Sequence, residues 1–500
     1  MTAATPGQPL PDPILSVVKP DAQPAADGVD LGANAAGGTP AAGRTTIDEA
    51  KRKGPRSSVE KRGDNLGPRS SVEERGDNLG PVGFLQRLGP GLITGASDDD
   101  PSGIGTYSQV GSQFGYGLLW LALFTFPLMS AVQEMCARIA LQTGVGLGAS
   151  LRRKFPRWLV GIAILGLLAA NTFNAGADLG AVAAAGSLLS RGAVQALWLV
   201  VPVALLIIGL QVFASYATIF RIFKWLTLAL FAYVITAVFA HPALRDVIKA
   251  TVIPHIEFSK DFIMALVAVL GTTISPYLFF WQASSEVDEL VAAGATDPHR
   301  GRQGLEHAEL RAARTDVLIG MAFSNVVMYF IILTSAAVLH AHGKTGVQTA
   351  AEAAAALAPL AGPFAFIVFS VGLIGAGLLA IPILTGSATY AIKEFLGLPG
   401  SLASKPQHRP TFYLILTLAT AAGVVMNFVH LDPIRALFVA AVINGVVAPP
   451  LLLLIVLLGS DVTVMKRYVS GKLSLALTGI ATLFMAVAAI TMLVTMFAGH

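Results

Sequence analysis

The sequence predicts an all-α integral membrane protein. Three observations carry that expectation. Hydrophobic residues make up 54% of its 500 positions and charged residues only 13%, against roughly 25% charged in soluble domains. Apolar runs of about 20 residues, long enough to cross a hydrocarbon core of about 30 Å, recur from Phe84 to the C-terminus. Finally, two of these runs are interrupted by proline, within Asp98-Asp99-Asp100-Pro101-Ser102-Gly103 and Gly271-Thr272-Thr273-Ile274-Ser275-Pro276. Proline removes a backbone donor and frees a carbonyl. In lipid such a break survives only where it is buried in protein or lines a cavity.

Residues 1–80 precede the first apolar run and are rich in Ala, Gly, Pro and charge. A tandem repeat lies here: Gly54 to Leu66 returns as Gly67 to Leu79, with Lys61 replaced by Glu74. Such a segment buries too little apolar surface to offset its ordering entropy, so it reads as a disordered cytoplasmic tail. It has no apolar core near its start, unlike a signal peptide. The membrane-spanning domain then occupies 84–500. Its expected spans are 84–113, 116–141, 158–188, 193–213, 216–240, 261–285, 316–340, 362–391, 411–429, 434–459 and 473–498.

Orientation follows from the basic residues. With the N-terminus inside, cytoplasmic segments carry sixteen Lys and Arg, among them Arg152, Arg153, Lys154, Arg311, Arg314 and Lys393. Outer segments carry six, including Arg191, Lys260 and Arg435. That satisfies the positive-inside rule. Spans 1–5 and 6–10 then become two five-helix halves of opposite orientation, each opening on its broken helix. This is the LeuT-type inverted repeat, with an eleventh transmembrane helix added. Paired broken helices point to a substrate site at mid-membrane. The pI of about 9.1 reflects membrane orientation, not nucleic acid. Gly144 to Gly148 is a turn at a membrane exit with no strand before it, so a nucleotide-binding loop is excluded. No nucleophile–base pair is visible in the spans, so no enzyme is expected. Cys136, the single cysteine, falls inside a span and leaves no disulfide to form. Together with few loops, this fits a bacterial inner membrane.

Ionisable groups within spans are rare, each costing about 2.5–3.5 kcal/mol at mid-span on insertion scales. Here they are Asp98, Asp99 and Asp100 on span 1, Glu134 and Arg138 on span 2, and Asp178 on span 3. Aspartate is a favoured N-cap, and a cap on the inner half of the broken helix would explain one of the three. Three adjacent like charges repel unless a cation or proton neutralises them, so cation binding is the stronger expectation. Asp100 adjoins the proline and is the first choice as a ligand, with Asp99 next. Glu134 and Arg138 stand four residues apart on one helical face and can pair. Asp178 either lines the ion path or pairs with another helix. At the second break Thr272, Thr273 and Ser275 offer hydroxyls, and no Met, Cys or His stands there. Hard oxygen donors suit Mg²⁺, Ca²⁺ or Mn²⁺. His340 and His342, a loop pair without further ligands, read as solvated.

The break sequences and their flanks resemble the Nramp family of divalent-metal transporters. The resemblance runs through Leu88-Gly89-Pro90-Gly91, Asp100-Pro101-Ser102-Gly103 and Gly111-Ser112-Gln113-Phe114-Gly115-Tyr116. It continues with Gln133, Ala137-Arg138, Gln142-Thr143-Gly144 and Asp178-Leu179. Typical members read Asp-Pro-Gly-Asn at the first break, and here Gly103 takes the asparagine position. Thr272 and Ser275 stand where an alanine and a methionine face the ion. Tyr277 and Gln282 replace histidines, and Ala181 replaces an acid linked with proton movement. These departures resemble the Nramp-related magnesium transporters. The resemblance implies import of Mg²⁺, with Mn²⁺ also carried, without proton coupling, through Asp100, Asp99, Thr272, Ser275 and the Gly103 region. It implies no cofactor, the divalent ion being substrate. The alternatives are a proton-coupled Mn²⁺ or Fe²⁺ importer using Glu134 and Asp178, and a non-transporting sensor with the tail as its partner-binding arm.

Overall fold

A computed structural model of the chain describes residues 89–214, 228–292, 294, 305–402, 404–429 and 432–498. The expected tail 1–80, with its repeat, and positions 216–227 of the fifth expected span lie outside the described residues. The regular structure among the described residues is helical. In chain order the helices are α1 (Pro90–Asp98), α2 (Pro101–Phe114), α3 (Trp120–Thr143), α4 (Leu147–Lys154), α5 (Arg157–Leu189) and α6 (Ala196–Phe213). Next come α7 (Phe231–Phe239), α8 (Leu244–Val252), α9 (Lys260–Thr273), α10 (Pro276–Ala292), α11 (His307–Val338) and α12 (Ala350–Ala354). The last are α13 (Ala358–Ala361), α14 (Ala365–Leu396), α15 (Pro410–Met426), α16 (Pro433–Gly459), α17 (Val462–Met465) and α18 (Lys472–Ala498).

Eight stretches of the described residues are long and apolar enough to cross a membrane, fewer than the eleven expected. The shortfall has physical causes. The first expected span is divided into α1 and α2, of 9 and 14 residues, neither long enough alone. The ninth, α15, has 17 residues. Much of the fifth is outside the described residues. Boundaries also differ. α11 begins nine residues before the expected start of its span, at a capping box of Glu306 and Glu309. α10 continues to Ala292 and α14 to Leu396. Hydropathy locates the portion of a helix that matches the hydrocarbon, whereas the helix itself runs on until a cap ends it.

Small residues set the closest helix contacts. A Cβ on Gly95 of α1 would lie 2.1 Å from the Gly320 carbonyl oxygen of α11, and one on Gly320 would lie 2.1 Å from that of Gly91. Backbone therefore meets backbone along α1 and α11, as small-residue interfaces allow in membranes. A Cβ on Gly271, just before the second break, would lie 2.1 Å from the Ala441 carbonyl of α16. Asp316 of α11 completes the first joint. Its carboxylate accepts from the amides of Gly89, Gly91 and Leu92, at 3.0, 2.7 and 3.2 Å. α1 has no side-chain cap of its own, so a residue 225 positions away supplies it. Glu134 and Arg138 pair within α3, Arg138 Nε donating to Glu134 at 2.9 Å, and Ser474 of α18 donates to the other Glu134 oxygen at 3.1 Å. Cys136 is free and buried.

Replacing Gly95 by alanine should force α1 off α11 and cost about 1–3 kcal/mol, the range for overpacking. This would be read as a lower Tm of the detergent-purified protein. Gly209→Ala on α6, where an added Cβ meets nothing within 4 Å, should leave Tm unchanged or higher.

Candidate functional site

The first break is a two-residue joint. α1 ends at Asp98, Asp99 leaves the helical region at φ −83°, ψ 53°, and Asp100 is extended at φ −69°, ψ 169° before α2 starts at Pro101. Proline at the first helical position lacks only an amide that would be unpaired there anyway. Asp100 Oδ1 accepts from the Gly103 amide and the Ser102 hydroxyl, both at 2.7 Å. Asp100 therefore caps the half that follows it, not the half before it. That corrects the expected cap on the inner half: an N-cap carboxylate reaches only amides ahead of it in the chain. The preceding half is held by Asp316.

Oδ2 of Asp100 receives Asn174 Nδ2 of α5 at 3.1 Å. The Tyr277 hydroxyl of α10 lies 3.5 Å from the same oxygen but donates its proton to the Ser97 carbonyl at 2.9 Å. Oδ1 is thus fully used and Oδ2 retains a lone pair. Each charge-assisted bond contributes about 1.5–3 kcal/mol. Together these bonds offset part of the cost of burying the carboxylate, and Asp100 can satisfy most of its acceptor capacity from within the protein.

Its neighbours cannot. Asp98 and Asp99 share one donor, the Ser324 hydroxyl of α11, at 2.6 and 3.3 Å. One hydroxyl has one proton to give. Asp98 Oδ1 and Asp99 Oδ2 have no partner. On α5, neither oxygen of Asp178 closes a hydrogen bond of ordinary geometry, although the Ser102 amide and Asp100 lie against it. Asp178 thus sits against α2 through the Ser102 amide. All four aspartates are at most 1% exposed, and none forms an ion pair among the described residues. Buried carboxylates without donors require a cation or a proton.

The second break faces the first. α9 ends at Thr273, Ile274 leaves the helical region and α10 starts at Pro276. Thr272 Oγ1 lies 3.2 Å from Ser102 Oγ. Ser102 spends its proton on Asp100, so Thr272 is the donor between them. Ser275 Oγ lies within hydrogen-bond distance of the carbonyls of Gly271 and Thr272, at 2.8 and 2.7 Å, and its one proton is shared between them. Its proton therefore satisfies carbonyls that the break frees, and only its lone pairs remain. Gly103 lies between the halves: a Cβ there would be 3.4 Å from both the Asp98 carbonyl and Thr272 Oγ1. Gln282 Oε1 accepts from Thr94 of α1 at 2.6 Å, while its Nε2 donates to Glu286 at 3.1 Å. Tyr277 and Gln282 thus both tie α10 to α1.

Several residues of this region are not marked by the sequence pattern. Ser324 sits in an apolar span with only Asn325 beside it as a signal. Asp316 stands at the expected start of its span, while Glu286, Asp288 and Glu394 fall just past expected ends. The buried acids are therefore more numerous than the spans suggest. Glu394 of α14 accepts from Ser284 at 3.0 Å and from the Gly148 amide at 2.9 Å. Tyr390 of α14 donates to Asp288 at 2.5 Å. A thioether also approaches the second break: the Thr273 hydroxyl donates to Met328 Sδ of α11 at 3.4 Å. Among the described residues no three His, Cys, Asp or Glu side chains converge as a metal cage. The constellation is instead a set of buried carboxylates, Asp100 capping α2 and Asp178 against the Ser102 amide, with amide, hydroxyl and carbonyl oxygens around them.

Residues 91–495 match the Nramp family, described as natural resistance-associated macrophage protein-like. The chain is 27% identical over 347 residues to a divalent metal cation transporter MntH of Erwinia tasmaniensis, covering 66% of this chain and 78% of that one. It is 27% identical over 368 residues to MntH of Klebsiella pneumoniae, covering 72% and 82%. Its fold is similar to the manganese transporter of Eremococcus coleocola, with a TM-score of 0.65 at 17% identity over 84% of this chain and 90% of that one. It is also similar to Mhp1, a nucleobase-cation-symport-1 family transporter, with a TM-score of 0.50 at 15% identity over 81% and 91%.

Ser324→Ala removes the one donor that Asp98 and Asp99 share. The expected result is a fall in Tm equivalent to about 1–3 kcal/mol, as for a buried group left unsatisfied.

Proposed function

The chain belongs to the Nramp family, and from that premise we propose that it is a secondary carrier of divalent metal cations into the cytoplasm. The carrying observation is the set of buried aspartates at the first break, whose unpaired oxygens call for a cation. Mn²⁺ is the ion best supported, because relatives matched over most of their length are divalent metal cation transporters and a manganese transporter shares the fold. Asp100 and Asp178 would supply charge, with Asp99, Thr272, the lone pairs of Ser275 and the carbonyls beside Gly103 completing the shell. Family membership places the protein among transporters, not enzymes.

The working architecture is two inverted five-helix halves and an added helix. The broken spans, α1–α2 (span 1) and α9–α10 (span 6), rock against the rest to alternate access. The positive-inside count supports a cytoplasmic N-terminus in a bacterial inner membrane. The membrane potential favours entry by about 2.3 kcal/mol per charge per 100 mV, and about twice that for a divalent ion.

A second reading, Mg²⁺ carried without proton coupling, is favoured by the oxygen donors at both breaks and by Ala181 in place of an acid. It rests on those residues alone, since the matched relatives do not narrow the chain to a magnesium branch. The Met328 thioether beside Thr273 weighs toward Mn²⁺.

Flux into proteoliposomes carrying an internal pH reporter separates the readings. Mn²⁺ uptake with acidification, abolished by Asp100→Ala, is the result expected of a proton-coupled manganese carrier. Uptake of Mg²⁺ as well, without acidification, would establish the second reading. Flux of neither ion would reject both.

A further inference from the structure

Asn444 of α16 has no exposed surface, and neither its amide oxygen nor its amide nitrogen has a hydrogen-bond partner. Four other buried amides, Gln133, Asn171, Asn174 and Gln211, also leave an oxygen unpaired, but Asn444 lacks partners at both atoms. Leaving an amide unpaired away from water costs about 1–3 kcal/mol by mutational measures. A leucine of similar volume would bear no such cost, so packing alone does not account for the residue.

Its place in the fold indicates what it could meet. Leu437 of α16 packs on α2, its Cδ1 2.9 Å from where a Cβ on Gly105 would stand. Seven residues complete nearly two helical turns, so Asn444 shares that face. Ala441 and Gly445, on either side of it, pack backbone to backbone against Gly271, the residue before Thr272. Asn444 therefore lies on the wall that α16 presents to α2 and α9, at the depth where both are broken. Asp98, Asp99 and Asp100 form the first of these breaks and Asp178 lies against the Ser102 amide just after it, so the breaks that α16 borders are rich in carboxylate and hydroxyl oxygen. An amide oxygen is a hard donor that complements carboxylates around a divalent cation without adding charge.

We propose that Asn444 is a specificity-determining residue whose Oδ1 enters the coordination shell of the divalent cation as it passes between the two breaks. This rests on the reading of the chain as a divalent-cation carrier. The test uses purified full-length protein with Mn²⁺ as probe, comparing Asn444→Leu and Asn444→Asp with wild type. Two quantities are read: the rise in Tm that Mn²⁺ produces in detergent, and KM against kcat for uptake in proteoliposomes. A ligand role predicts that Asn444→Leu keeps or raises the metal-free Tm, loses most of the Mn²⁺-induced rise and increases KM about ten-fold (about 1.4 kcal/mol) with kcat retained. Asn444→Asp, which keeps an oxygen in place, should retain the Mn²⁺-induced rise. An unchanged Mn²⁺ response and KM in Asn444→Leu would overturn the proposal while leaving the carrier intact. Should Asn444→Leu fail to fold, loss of the Mn²⁺ response in a folded Asn444→Asp would overturn it equally. Wild type that shows neither a Tm response nor uptake with Mn²⁺ or Mg²⁺ would sink the carrier reading, and this proposal with it.

Discussion

The described structure is arranged around the burial of adjacent aspartates in an apolar interior, with no basic side chain among the described residues to neutralise them. A paired Lys or Arg would make a stable and inert ion pair. Asp100 has hydrogen bonds that offset part of the burial cost, from Gly103, Ser102 and Asn174. Asp98, Asp99 and Asp178 each leave an oxygen without one. The interior is therefore left with anionic capacity that a mobile cation can fill and then vacate, which a fixed counter-charge would prevent.

That arrangement requires the backbone to be broken without being exposed. Each break ends one short helix and begins another, and the freed polar groups are taken up locally. Ser275 shares its proton between two carbonyls, Asp100 caps α2, and Asp316 caps α1 from a different helix. The backbone contact of Gly91 and Gly95 with Gly320 lets Asp316 come close enough to do so. α1 is held to α11 by these joints and to α10 by Thr94–Gln282 and Tyr277–Ser97. Any motion that opens the site on this side must separate α1 from α11 or from α10. The α10 hydrogen bonds are fewer and more easily exchanged than backbone packing.

A second polar layer connects α10 with α14 and α4 through Ser284, Glu394 and Gly148, and through Asp288 and Tyr390. Of these groups Asp288 and Glu394 lie just past the expected apolar ends of their helices. They join the segment after the second break to helices outside it, so the two breaks are bounded by polar contacts on more than one face.

The sequence by itself determined the membrane class, most of the apolar helices, the position of both breaks and the aspartates at the first. Those are local properties: apolar runs follow from composition along the chain, and a proline acts on its own turn. The partnerships were decided by tertiary structure. Nothing in the local sequence around Asp316 marks it as the cap of a helix 225 residues earlier, or Ser324 as the one donor between Asp98 and Asp99. The same holds for Met328, whose thioether approaches a break that has no sulfur nearby in sequence. Asp178 and Glu134 show the difference most directly, since each is a lone acid in an apolar run. One is paired within its own helix, legible from four-residue spacing, whereas the other lies against the Ser102 amide of α2, which no periodicity encodes. Hydrogen bonds and packing depend on distance in space, and helix spacing predicts that distance only within one helix.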